Sequence, residues 1–238
     1  MMNKQLNRRQ PKTLKIKRYA VLVFICVVTI GFTTAGLAQT ELTLKSPDEK
    51  VVVKFALKQI GGKQNCPVYS VSYKNLPIVV DSSLGFALKS APSLEAGFEI
   101  AEVAKSSHYE IWHPVYGERN KIRDHYNQLI VDLKEATGPN RQLRLTFRAY
   151  NEGIAFRYTL PPQPAIKDFV ISAEKTQFRF LADHTAWAVY SAQGVYSKVP
   201  LSKVKNNCER PTTIKIEDNI FAAVGEAGLV DYARMRLS

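Results

Sequence analysis

The side chains of this sequence that could do chemistry are 21 carboxylates, four histidines and three cysteines, and none of them falls into a catalytic spacing. There is no GxSxG for a nucleophilic serine, no HExxH for a zinc hydrolase, and no phosphate-cradling GxxxxGK[ST] or GxGxxG loop. His108, His113, His125 and His184 show no ligand spacing and are expected to make structural hydrogen bonds. Without a CxxC or a Cys/His pair at ligand distance, zinc has no support. Cys66 and Cys208 lie far apart in sequence, and two unpaired thiols are the expected state. The aromatic block Trp112, His113, Tyr116, His125 and Tyr126 admits sugar stacking, because flat rings match the apolar faces of pyranoses. Core packing is the expectation there, since Trp and Tyr are usually mostly buried.

The elements that must position these groups read almost entirely with period two. In residues 50–58 (KVVVKFALK), Val51, Val53, Phe55 and Leu57 alternate with Val52, Lys54, Ala56 and Lys58, as a half-buried strand requires. Strands are also expected over 68–74, 83–89, 97–103, 126–133, 177–181, 210–217 and 219–224, with a turn at KNLP (74–77). The clearest hairpin is 143–150 with 154–160, joined by Asn151-Glu152-Gly153, in which Gly153 is expected to take positive φ. Pro161, Pro162 and Pro164 then interrupt the ladder. No long apolar stripe at helical spacing appears after residue 39. The pattern predicts an all-β protein with little helix, a large antiparallel β-sandwich in one domain.

Seven basic residues and no acidic one precede Glu41. An apolar run from Ala20 to Phe32 follows the basic head, and Gly36 and Ala38 are small. This is the pattern of a signal peptide over residues 1–38, cleaved before Gln39. The run is short for a retained anchor, which needs about 20 apolar residues, and bulky Ile25 before Cys26 argues against a lipoprotein cysteine. The expectation is export to the periplasm or beyond, with no membrane association after cleavage. The chain's net charge of +12 falls to +5 without the leader, as 26 basic and 21 acidic residues remain. No basic cluster is left to track a phosphate backbone, so nucleic acid is not an expected partner.

Several segments together carry a more specific signal. They are 112–133 (WHPVYGERNKIRDHYNQLIVDL), 147–161 (FRAYNEGIAFRYTLP), 183–190 (DHTAWAVY) and 217–237 (EDNIFAAVGEAGLVDYARMRL). With the opening LTLKSPDEKVVVKFAL and VYSVSYKNLPIVVDSSLGFAL, they resemble the N-terminal domain of glycoside hydrolase family 97, in the family's order and over nearly all of residues 41–237. The resemblance implies an exported enzyme, largely from Bacteroidetes-type bacteria, acting on α-linked glucosides or galactosides. It implies a β-sandwich followed by a (β/α)₈ barrel that carries the catalytic carboxylates. The sandwich would close over the active site and lend one glutamate to a calcium ion. That glutamate is Glu226 here, in Gly225-Glu226-Ala227-Gly228-Leu229-Val230-Asp231-Tyr232, where the family usually has a histidine at 225 and an alanine at 228. Calcium takes six to eight oxygens, so Glu226 alone is not a site. Trp187 follows the family-like DHTA, but a usual second aromatic is Ala188, so its ring contact is expected to be lost.

The resemblance stops before the barrel. Residues 39–238 are therefore expected to be a fragment, missing the last strands of the sandwich, the barrel and its two catalytic carboxylates, and inactive alone. A free-standing carbohydrate- or partner-binding sandwich is the second reading, and an enzyme with a site of its own the third.

Overall fold

The computed structural model describes residues 40–238, so the leader assigned to residues 1–38 lies outside the described residues. Strands β1 (Leu42–Lys45), β2 (Val51–Ile60), β3 (Lys63–Tyr73) and β4 (Leu76–Ser83) form an antiparallel sheet in chain order. Its hairpins are tight for a local reason. Gly61 and Gly62 both take positive φ (54° and 81°), placing Ile60 opposite Lys63. Lys74 and Asn75 do the same (50° and 67°), placing Tyr73 opposite Leu76. Two consecutive left-handed residues give a turn whose twist matches the strands. The turn expected over 74–77 is thus two residues long, and Leu76 and Pro77 already belong to β4.

Strands β5 (Phe86–Leu88) and β10 (Ile171–Glu174) pair separately. The single strand expected over 83–89 is broken at Gly85. Its φ is 148°, and a Cβ there would lie 2.5 Å from the Leu94 carbonyl oxygen. Only glycine allows that approach, so the chain leaves β4 and starts again.

Strands β6 (Phe98–Trp112), β7 (Ile122–Glu135), β8 (Gln142–Tyr150) and β9 (Gly153–Thr159) make the second sheet. β6 runs nine residues past the expected end, with register from Phe98 opposite Glu135 to Trp112 opposite Ile122. Beyond Ile100 nearly every β6 residue is exposed on either face, so no alternation betrays the strand. In the β8–β9 hairpin Tyr150 faces Gly153 directly, leaving a two-residue loop. Gly153 does not take positive φ and belongs to β9. The Asn151 side chain instead accepts the Asp48 N–H at 3.0 Å, tying this loop to the β1–β2 turn.

The two sheets meet face to face. Phe55 and Tyr69 of the first pack on Phe147 and Phe156 of the second, with ring centroids 5.3 to 6.3 Å apart. Leu129, Val131, Leu133, Leu143 and Leu145 complete the core from β7 and β8. Each such fully buried side chain contributes roughly 1.5–3 kcal/mol. The expected all-β sandwich is the observed architecture.

A further sheet, in the order β12-β11-β13-β14, comes from β11 (Thr185–Ala188), β12 (Ser197–Pro200), β13 (Thr212–Glu217) and β14 (Ile220–Val224). Its inner residues Ala186, Ile214, Ile216 and Val224 form a smaller core. Ile78 and Phe180 touch both cores and join them. The strand expected over 177–181 is absent: only Arg179 pairs, with Val80. Phe178 and Phe180 are wedged between clusters instead of lining a ladder.

Candidate functional site

The segment after β14 carries Glu226 and returns to the sheet by charge rather than by a strand. Cys208 and Leu237 exchange both backbone hydrogen bonds at 2.9 Å. Along Arg234-Met235-Arg236-Leu237, Met235 and Leu237 pack into the smaller core, while Arg234 and Arg236 both reach Glu209. Arg210 reaches the same carboxylate at 3.1 Å. Glu209 is 5% exposed. Burial opposes its ionisation, but the hydrogen bond from Arg234 and the charges of Arg234, Arg236 and Arg210 hold it below the usual carboxylate value. Tyr232 donates from its hydroxyl to Glu174 at 2.9 Å, fixing the outer part of the loop to β10.

Glu226 sits inside this clasp, partly buried. Its carboxylate pairs with the Arg210 guanidinium and accepts the Met235 N–H, at 3.0 Å to one oxygen and 3.3 Å to the other. Gly228 takes positive φ, 60°, two residues on. Among the described residues no three of His, Cys, Asp and Glu converge as a metal would need. Arg210 bridges Glu226 to Glu209, so both carboxylates already face guanidinium groups, and that cationic environment repels a divalent ion. The residues present therefore do not fit calcium as they stand. The partners of Glu226 were not legible in the sequence, because Arg210 and Met235 lie 16 and nine residues away along irregular chain. The alternation of Arg234, Met235, Arg236 and Leu237 was the available signal that this segment packs on one face.

The aromatic block divides. Tyr126 is buried, stacked on His108 at 4.9 Å and covered by the Arg148 guanidinium at 4.2 Å, as packing requires. Trp112 and Tyr116 are 45% and 90% exposed, so the packing expectation fails for them. Trp112 ends β6, opposite Ile122, and Tyr116 stands on the β6–β7 connection. With Val115, Glu118, Arg119 and Ile122 they line an open cleft of about 670 Å³. His113 closes this connection through Nδ1 and the Asn120 carbonyl, 2.7 Å apart. His125 packs edge-on against Tyr109, and His184 against Phe180.

Trp187 lies on the outer face of β11, between Ala186 and Ala188, which are fully buried. Position 188 is thus buried. Trp187, Tyr196, Pro211, Thr213 and Phe221 line a second cleft of about 350 Å³. The first cleft contains a single carboxylate and the second none. Cys66 and Cys208 are both free and buried, as expected, and burial raises the Cys66 thiol. Among the described residues no helix is long and apolar enough to cross a membrane.

Comparison with known proteins gives a consistent picture. The glycosyl-hydrolase 97 N-terminal family matches residues 44–238. A retaining alpha-galactosidase of Bacteroides thetaiotaomicron is 22% identical over 94% of this chain and 33% of its own length. A glycoside hydrolase family 97 enzyme from Pseudoalteromonas sp. strain K8, solved in complex with panose and with acarbose, aligns with TM-score 0.76 and 29% identity over 82% of this chain and 30% of its own. A beta-arabinopyranosidase shares the fold, with TM-score 0.69 and 21% identity over 79% of this chain and 32% of its own. The chain spans about a third of the length of these relatives.

Proposed function

The chain belongs to the glycosyl-hydrolase 97 N-terminal family, and from that premise we propose that it is the non-catalytic N-terminal module of an exported α-glycosidase acting on α-linked oligosaccharides. One observation supports this most: 82% of this chain aligns with 30% of a family enzyme solved with panose and acarbose, while neither of the two clefts described above brings two carboxylates together. Glycoside hydrolysis needs such a pair, about 5–10 Å apart across the scissile bond. In this reading a (β/α)₈ barrel supplies the acid and its partner, and the sandwich closes over the barrel's mouth.

Glu226 would act as one calcium ligand in that assembly only if Arg210 withdrew and oxygens from outside the described residues completed the shell. Terbium luminescence on the purified protein tests this. The expected result is no site of micromolar affinity and no change with Glu226→Ala. A micromolar site abolished by Glu226→Ala would contradict the reading, and would favour a free-standing module with its own ion.

A further inference from the structure

We propose that the outer face of the β11–β14 sheet is a binding site for a curved, α-linked glucan chain. The site is built by register. Because Ala186, Ile214 and Ile216 belong to the smaller core, their neighbours Trp187, Thr213 and Lys215 must point outward. Trp187 lies opposite both Lys198 of β12 and Thr213 of β13, and Lys215 lies opposite Phe221 of β14.

Three rings gather there without being packed away. Phe221 and Tyr196 are 55% and 56% exposed, and Trp187 meets Phe221 at 6.0 Å between centroids. Pro211 and Thr213 close the floor of the cleft. Polar groups accompany the rings: the Lys198 ammonium is 5.9 Å from the Trp187 ring centre, and Thr213 lies opposite Trp187 on the other neighbouring strand. A pyranose presents that same combination, an apolar C–H face ringed by hydroxyls that donate and accept.

Geometry narrows the ligand. Trp187 and Phe221 are inclined by 48°, so the rings form an angled cradle. Successive sugars of a β-1,4 chain present flat, coplanar faces, which match coplanar rings. An α-1,4 or α-1,6 chain turns between residues and presents inclined faces. The absence of a carboxylate from the lining makes this a site that holds sugar without cleaving it. A protein partner is the less suitable occupant. A stable interface buries about 800 Å² on each side, whereas the apolar part here is a small cleft interleaved with lysines. The inference rests on the α-glycosidase reading only in expecting such a glucan to be present.

Trp112 and Trp187 are the only tryptophans, so Trp112→Phe leaves Trp187 as the single reporter. Panose, maltotriose and cellotriose are titrated into that variant while its emission is recorded. Saturable change with panose and maltotriose, and a weaker response to cellotriose, is expected. Adding Phe221→Ala should weaken the response about tenfold, the worth of one stacked ring, with Phe221→Tyr restoring it at unchanged melting temperature. No response to any sugar, or one indifferent to Phe221→Ala, overturns the site. So does light scattering that shows self-association lost in Phe221→Ala, which would make the face a protein interface. A preference for cellotriose likewise overturns the α-linked assignment of this face while leaving the α-glycosidase reading untouched, which separates the two failures.

Discussion

The two cores of this protein are held by different physics. In the sandwich of β1–β4 and β6–β9, mostly long strands pair in antiparallel ladders and aromatic and aliphatic side chains close the interior. In the sheet of β11–β14, the strands are four to six residues long, the buried set is small, and the covering segment is fastened by arginines on one buried carboxylate. Apolar burial is non-directional and tolerates variation in detail. A charge clasp depends on every partner, because a buried carboxylate that loses its cations is left with its full desolvation cost. The first region is a scaffold. The second is where geometry can be set by a few residues, and both Glu226 and the Trp187 face are found there.

That contrast can be broken in several ways. Phe147→Ala should have the largest effect, about 3–5 kcal/mol, because it empties the centre of the larger core where three rings meet. Equilibrium urea unfolding would read it as a lower midpoint for the whole protein. Glu209→Ala should act locally instead. It removes the shared anion of Arg210, Arg234 and Arg236, so amide exchange should speed up over residues 225–238 while β2, β7 and β8 stay protected. Equal loss of protection in both regions would show that the cores are not separable.

Acid should make the same distinction more gently. Glu135 and Glu209 both have folded-state values below the usual 4.5. Burial raises each, and their arginines outweigh it. A carboxylate depressed in the folded state contributes stability that is complete above 4.5 and is lost as pH falls through the folded value. Asp48 follows the same sign over a lower window, from 3.8 to about 2, chiefly through the Ser46 hydroxyl. Urea midpoints should therefore be flat from pH 7 to 5 and decline below 4.5; stability that rose on acidification would contradict these pairings. Phe221→Ala should have the smallest effect, within about 0.5 kcal/mol, as the ring is an exposed surface group.

The sandwich was legible because its strands bury one face: the alternation of Val51, Val53, Phe55 and Leu57 is the register itself. The misses have separate physical causes. β6 has no buried face past Ile100 and so no pattern, although it is the longest strand. Phe178 and Phe180 have the right pattern but bridge two cores instead of joining a ladder. Gly153 resembles a left-handed turn residue, but the turn closes one residue earlier, with Gly153 already paired to Tyr150. At the candidate site, Glu226 was reachable only through the family resemblance. Its environment was not legible at all, since ion pairs between Glu209, Glu226 and the three arginines join irregular segments that no spacing relates. The exposed rings of Trp112 and Tyr116 were misread as core because composition alone favours burial of such side chains.

The proposed function places catalysis outside these residues. The most direct measurement is hydrolysis of aryl α-glucosides and α-galactosides by the purified protein, followed through successive repurification. No turnover above the uncatalysed rate is expected. Activity that copurifies with the chain and disappears on substitution of one of its own carboxylates would contradict it, and would require a catalytic pair that the two clefts do not contain.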